Sequence, residues 1–346
     1  MASLAVKYRP QIFEDVCEQT SIIKILERQL ELKEFKNCYL FCGPSGCGKT
    51  TIARIFANKI NNGNGQPIEI DGASNNGVEN VKAIIQGARE RSLDSEYKIY
   101  IIDECHAIST QGWQAFLKCI EEPPKYTIFI FCTTDPQKIP ATILNRVMRF
   151  NLTRVKTVSI MERLKYVCKQ EGFINYDESC DYISKMACGG VRDALAMLEK
   201  CIGYSNDLCI TNVLQCLGNF SYQTFFDLTN FIIDGKEQEI LDTVENCYNN
   251  GNDLSLFINQ YLEFVLDLTK YCIFRSMDVT KIPLSLEENV KYTVSVENNT
   301  KLYNNLSSRI LKLSTSLRND TMPKTTTEIG LLEISRSYWK LVEVYR

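Results

Sequence analysis

The run Gly43-Pro44-Ser45-Gly46-Cys47-Gly48-Lys49-Thr50 fits G-x-x-x-x-G-K-[ST], a spacing whose chemistry is the handling of phosphate. Glycines let the backbone curl so that its N–H groups point inward at phosphate oxygens. The N-terminus of the following helix adds positive potential. Lys49 is expected to reach the β- and γ-phosphates and the Thr50 hydroxyl to ligate Mg²⁺, with the phosphate-binding run extending to Thr51.

A second constellation completes such a site. Ile99-Tyr100-Ile101-Ile102 is an apolar run that ends in Asp103-Glu104. A carboxylate at a strand tip beside a phosphate loop holds Mg²⁺ directly or through water, which is the expected role of Asp103. Glu104 is then placed to polarise the attacking water. Cys132-Thr133-Thr134-Asp135 ends another apolar run, and Thr134, with Thr133 as the neighbouring candidate, is expected to help orient that water. Arg192, in Gly189-Gly190-Val191-Arg192-Asp193, opens a helical stretch. A cation there opposes the helix dipole and points to an anionic partner such as phosphate. Arg146 precedes the last apolar run, where an isolated arginine is ordinarily a surface or salt-bridge residue.

Asp103-Glu104-Cys105-His106 also spells the D-E-x-H box of superfamily-2 helicases. Those enzymes need a second RecA-like domain, whereas this chain turns helical after Leu152. His106 is the one histidine of the chain and is read as a satisfied structural residue. Its solitude excludes the H-E-x-x-H zinc proteases and any site needing two histidines.

The elements that must carry these residues alternate. Tyr39–Cys42, Ile68–Asp71, Lys98–Ile102, Thr127–Cys132 and Met148–Leu152 are nearly continuous apolar runs. Such runs are expected as strands buried on both faces of a parallel sheet. Helical spacing lies between them: Ser21 ahead of Ile22–Leu30, then 50–59, 77–90 and 110–121. This is a doubly wound α/β pattern. From 153 the reading is all-helical, with helices over 158–170, 177–186 and 191–202 and a linker at Tyr204-Ser205-Asn206-Asp207. Apolar stripes follow from Phe225, Leu254 and Leu302. Asn298-Asn299 and Asn304-Asn305 read as loop or capping pairs. Three domains are expected: 1–152, 153–207 and 208–346.

The chain has 346 residues with 45% hydrophobic and 23% charged, the balance of a globular protein. A net charge of -3 provides no global basic footprint for nucleic acid. No run approaches a membrane span, and Met1–Leu4 opens no signal-peptide pattern. Fifteen scattered cysteines without a C-x-x-C pair read as reduced thiols in a cytoplasmic protein.

Several segments together resemble one family: Lys7-Tyr8-Arg9-Pro10, the GPSGCGKT loop, Asp71–Gly77, Ile101–His106, Leu117–Pro124, Thr133–Arg146 and Gly189–Leu195. They are similar to the gamma/tau subunits of bacterial DNA polymerase III, the AAA+ ATPase motors of the sliding-clamp loader. The resemblance is dense over about residues 4–203. It implies an AAA+ P-loop domain with a five-stranded parallel sheet and helices on both faces, followed by a small three-helix lid and an all-α collar. It implies ATP and Mg²⁺ as ligands and hydrolysis of ATP. It also implies that Arg146 is an arginine finger reaching a neighbouring subunit's ATP, that Arg192 is a sensor from the chain's own lid, and that Thr134 is the first sensor. Tyr8, Arg9 and Pro10 are implied near the adenine. The partners it implies are other clamp-loader subunits in a hetero-pentamer-like ring, the sliding clamp and primer-template DNA.

The sequence departs from the family in three places. Asn58–Gln66 is short and holds no cysteine where a four-cysteine zinc module is usual, so no zinc is expected. The finger triplet reads Asn145-Arg146-Val147. The chain stops at Arg346, as expected for a short gamma-like form from a bacterium or a phage-infected cell. Ser74, Asn75 and Asn76 are candidates for phosphate-backbone contact at the start of a helix, although the acidic balance argues against strong DNA binding by the isolated chain. Two other readings stay open: a branch-migration helicase or other AAA+ machine, and a non-hydrolysing structural subunit.

Overall fold

The computed structural model describes residues 3–218, 220–296 and 300–345. Asn298-Asn299, and Met1-Ala2 of the N-terminal segment, lie outside the described residues. The chain divides into two compact units, Met1–Glu171 with Ile183–Glu199, and Gly172–Tyr182 with Lys200–Arg346.

The first unit is built on five parallel strands: β1 (Cys38–Cys42), β2 (Ile68–Asp71), β3 (Lys98–Asp103), β4 (Thr127–Thr133) and β5 (Met148–Asn151), in the order β2-β3-β4-β1-β5. Between them run α1 (Thr20–Leu32), α2 (Lys49–Ile60), α3 (Val78–Ala88) and α4 (Thr110–Glu121). After β5 come α5 (Thr157–Glu171), α6 (Asp177–Met186) and α7 (Val191–Tyr204). The five strands match the sequence reading to within a residue.

Alternate residues of each central strand enter different cores. Tyr39 and Phe41 pack with Ile52, Phe56 and Ile130 on one face; Leu40 and Cys42 pack with Ile102, Trp113, Phe116 and Phe131 on the other. Every position of β1 and β4 is therefore buried, and the strands read as unbroken apolar runs. Burial on both faces does not extend to β2 and β5. Ile68 and Glu69 are exposed, as are Arg149 and Asn151. These are the two edges of the sheet, where no neighbouring strand and less helix covers the chain.

Parallel pairing brings the strand tips to one edge. Cys42 is in register with Thr133, and Asp71 with Asp103. Every loop that follows a strand thus begins at the same end of the sheet, the end where open α/β sheets bind ligands.

The second unit is helical. Its core joins Phe225, Phe226 and Ile232 with Phe257, Tyr261, Val265 and Leu268, and with Leu306, Ile310 and Leu313, the residues of the three apolar stripes. Helices Ile210–Leu217, Glu237–Asn249, Glu287–Val296 and Pro323–Tyr345 complete it. One expectation is corrected here. Asn304-Asn305 is not a loop or cap: it lies inside helix Thr300–Ser316, and Asn305 Oδ1 accepts from Arg309 Nε at 2.7 Å, one turn on. In the expected linker, Tyr204 ends one helix, Asp207 bridges to Ile174, and the next helix begins at Ile210.

All fifteen cysteines are free thiols. Eleven are buried and Cys188 alone is exposed. They act as small core residues.

Candidate functional site

The glycine loop leaves β1 and feeds α2. Gly48 caps α2 with φ of 104° and no side-chain cap, so the first N–H groups of the helix have no side chain set against them. Gly46 has φ of 69°, and a Cβ there would stand 3.1 Å from Gly190 Cα. Its carbonyl accepts from Val191 N–H at 3.1 Å. The loop is therefore clasped by the start of α7, which delivers Arg192 to the same cavity.

That cavity is lined by Tyr8, Arg9 and Pro10, by Ser45 through Thr51, by Asp103 and Glu104, and by Arg192. These residues come from four separate stretches of sequence and include most of those singled out above. Lys49 is buried, its Nζ donating to the Gly43 and Pro44 carbonyls at 2.9 Å each. Gly43 and Pro44 are not lining residues themselves; they hold Lys49 from behind. Thr50 Oγ1 donates to Asp103 Oδ2 at 2.7 Å, so the two oxygens expected to ligate Mg²⁺ are adjacent although 53 residues separate them. Burial pushes the Cys47 thiol pKa up.

Glu104 occupies the left-handed region, with φ of 45°, which swings its side chain off the strand axis. Thr134 Oγ1 donates to Glu104 Oε2 at 3.0 Å. His106 Nδ1 lies 3.2 Å from that same oxygen and 3.2 Å from Thr133 Oγ1.

Arg146 and the trio Ser74, Asn75 and Asn76 stand elsewhere. Arg146 is not among the cavity's lining. Its guanidinium pairs with Glu121 at 2.8 Å and donates to the Thr142 carbonyl at 2.7 Å. The expectation that Ser74, Asn75 and Asn76 begin a helix is corrected, because α3 starts at Val78. Ser74 Oγ donates to Asp71 Oδ2 and Asn75 Nδ2 to the Asp71 carbonyl, so an Asx-type turn on Asp71 captures them first. Asn76 uses its carbonyl to receive Ser109 N–H.

Sequence reasoning missed another part of the wall: Val16, Cys17, Val155, Arg163 and Leu195. Arg163 donates to the Tyr8 carbonyl at 2.6 Å. Glu171 accepts from the Tyr8 hydroxyl and from Lys7 Nζ. Together these fasten the N-terminal segment to α5. Desolvation and the bond to Glu171 raise the Tyr8 phenol to about 12. Burial and the nearby Arg54 lower the pKa of Arg9.

The donor set fits a nucleoside triphosphate with Mg²⁺. Open helix N–H groups and Lys49 suit phosphate. Thr50 and Asp103 are hard oxygen ligands, and two protein ligands suit an ion that keeps waters and phosphate oxygens for the rest of its shell. A Cβ on Gly48 would meet nothing within 4 Å, leaving room against the loop. Among the described residues no cluster of three His, Cys, Asp or Glu side chains could hold another metal, and no helix is long and apolar enough to cross a membrane.

Comparison with known proteins points one way. A family model described as "DNA polymerase III, delta subunit" matches residues 68–156, and one described as "DNA polymerase III subunits gamma and tau domain III" matches 209–319. The chain is 34% identical over 288 residues to DNA polymerase III subunit gamma of Buchnera aphidicola subsp. Acyrthosiphon pisum, covering 77% of this chain and 80% of that protein. It is 35% identical over 286 residues to DNA polymerase III subunit tau of Bacillus subtilis, covering 76% and 51%. Among solved structures, the Thermotoga maritima RuvB Holliday junction branch migration motor aligns with a TM-score of 0.53 at 18% identity, over 71% of this chain and 86% of that one. At that identity the likeness is one of fold, the AAA+ P-loop architecture. The chain spans about half the length of the Bacillus subtilis relative and of the Mycoplasma genitalium gamma/tau relative.

Proposed function

Because the chain belongs to the DNA polymerase III gamma/tau family, we propose that it is the ATP-hydrolysing motor subunit of a replication clamp loader, acting in the cytoplasm on a sliding clamp and primer-template DNA. The observation that carries the reading is the Thr50–Asp103 contact at 2.7 Å under an intact phosphate loop, with Glu104 and Thr134 joined beside it.

The reaction is phosphoryl transfer from ATP to water. The loop N–H groups and Lys49 hold the triphosphate, and Tyr8, Arg9 and Pro10 border the adenine. Mg²⁺, held by Thr50 and Asp103, neutralises charge on the phosphates when bound. Glu104 takes the proton of the attacking water, oriented with Thr134. Arg192 contacts ATP from within the same chain. Arg146 serves the ATP of the next subunit, so transition-state charge is fully stabilised only when the ring is assembled. Residues 153–207 serve as the lid and 208–346 as the collar that joins companion subunits. No zinc is assigned: Asn58–Gln66 has no cysteine.

The test is phosphate release by the full chain mixed with companion subunits, clamp and primed DNA. Lys49→Ala should abolish release; equal rates in variant and parent would refute the motor and favour a structural subunit. Strand displacement without any clamp would favour a branch-migration helicase.

A further inference from the structure

The D-E-x-H run holds one residue that the proposed reaction leaves without a role. His106 follows Glu104 on a short turn, Cys105–Ala107, and its side chain is 21% exposed. Its Nδ1 lies 3.2 Å from Glu104 Oε2, the oxygen that also accepts from Thr134 at 3.0 Å. The same Nδ1 lies 3.2 Å from Thr133 Oγ1, which receives the Asp135 N–H at 3.0 Å.

We propose that His106 is a positioning residue for the base. Its Nδ1–H donates to Glu104 Oε2 and, with Thr134, fixes the carboxylate so that Oε1 is left for the proton of the attacking water. The inference rests on Glu104 as that base. A bare Nδ1 could accept from the Thr133 hydroxyl, also at 3.2 Å, but the Glu104 contact favours the proton on Nδ1. A bare Nδ1 facing a carboxylate oxygen would set two lone pairs against each other, whereas an Nδ1–H satisfies the oxygen. The mechanical reason is the reach of the base. A glutamate at a strand tip has three side-chain torsions, and the left-handed backbone at Glu104 does not fix them. Two donors from different elements, the turn after β3 and the tip of β4, converge on one oxygen and define the plane of the carboxylate. Orientation of this kind is a substantial part of what separates a base in place from a base nearby.

The test has two arms. In the first, hydrolysis is followed with the full chain assembled with companion subunits, clamp and primed DNA, and ATP affinity by a fluorescent analogue. His106→Ala should lower kcat about tenfold with KM and affinity unchanged. His106→Asn, whose amide nitrogen falls near the place of Nδ1, should recover most of the rate; His106→Gln, whose amide reaches the place of Nε2, should not. Wild-type kcat in His106→Ala, or an equal loss in all three variants, would overturn the proposal. Glu104→Gln serves as the control: if it hydrolyses ATP at the parent rate, it is the reading of the base that fails.

The second arm needs no turnover. His106 is the sole histidine, so ¹⁵N-histidine labelling of the full chain produces one imidazole pair. The neutral ring should carry its proton on Nδ1, and Glu104→Ala should move that signal. A neutral ring protonated on Nε2 with Nδ1 bare would overturn the inference whatever the kinetics show.

Discussion

The Arg146 guanidinium rests against the Glu121 carboxylate at 2.8 Å, outside the cavity that Lys49 and Arg192 share. Both partners are about two-fifths exposed, so the pair is worth at most about 1 kcal/mol and is released by a better anion. A cation stationed away from its own chain's phosphates suits service to another chain. Arg146→Ala is expected to leave ATP affinity of the isolated chain unchanged and to lower hydrolysis in the assembled complex by a factor of about a thousand or more. Parallel titration of nucleotide and measurement of turnover with companion subunits would check both halves. Weakened binding in the isolated chain would place Arg146 in its own site instead.

The Thr50–Asp103 contact predicts a different split. In the proposed reaction both oxygens serve the cation, whereas Lys49 and the loop N–H groups serve the phosphates. Asp103→Asn or Thr50→Ala should therefore weaken Mg²⁺-dependent binding of ATP much more than binding measured in EDTA. The expected ratio is about tenfold to a hundredfold, read by titrating a fluorescent nucleotide with and without Mg²⁺. Equal weakening in both conditions would mean that the two residues only shape the loop.

Much of the site was legible because its signals are local. The phosphate loop, the paired acids at the tip of β3 and Arg192 in a first helical turn each announce their chemistry within a few residues. The five strands were legible because burial on both faces removes polar residues from β1, β3 and β4. What escaped is long-range. Arg163 and Glu171 meet Tyr8 across more than 150 residues, and on α5 they look like any solvated helix face. Helix Glu237–Asn249 escaped because only Ile240, Val244 and Cys247 are buried in it, too sparse a stripe to stand out. The Asp71 turn that captures Ser74 and Asn75 depends on which of two short polar side chains bonds first, a choice that composition does not encode.

The N-terminal clamp should respond to pH. Lys7, and then Tyr8, hold the Glu171 carboxyl below its usual value of 4.5. A carboxyl depressed in the folded state adds stability above its unfolded value, and that stability is lost as pH falls through the folded value. The Tyr8 phenol is raised from 10.0 to about 12, so its contribution is whole below 10 and fades as pH climbs toward 12. The Tm gap between parent and Glu171→Gln should hold steady across the neutral range and narrow as pH falls below 4.5 toward the depressed folded value. A gap independent of pH down to 3 would show that the carboxylate charge is not what binds Lys7 and Tyr8.

Gly46 offers the sharpest test of how the loop and α7 cooperate. Its φ of 69° strains any L-residue, and a Cβ would stand 3.1 Å from Gly190 Cα and 3.4 Å from Arg192 N. Gly46→Ala therefore costs about 1–2 kcal/mol of local strain and pushes on the backbone that carries Arg192. Gly48→Ala is the comparison, since its φ of 104° is also strained but its Cβ would meet nothing within 4 Å. Both should weaken nucleotide binding about tenfold or more, 1.4 kcal/mol per decade. Only Gly46→Ala should do so by displacing Arg192, so Arg192→Ala should add little in the Gly46→Ala background and its full effect in the Gly48→Ala background. A double-mutant cycle on ATP affinity separates the two. Full additivity in both backgrounds would mean that the clasp between loop and helix does not transmit position to the arginine.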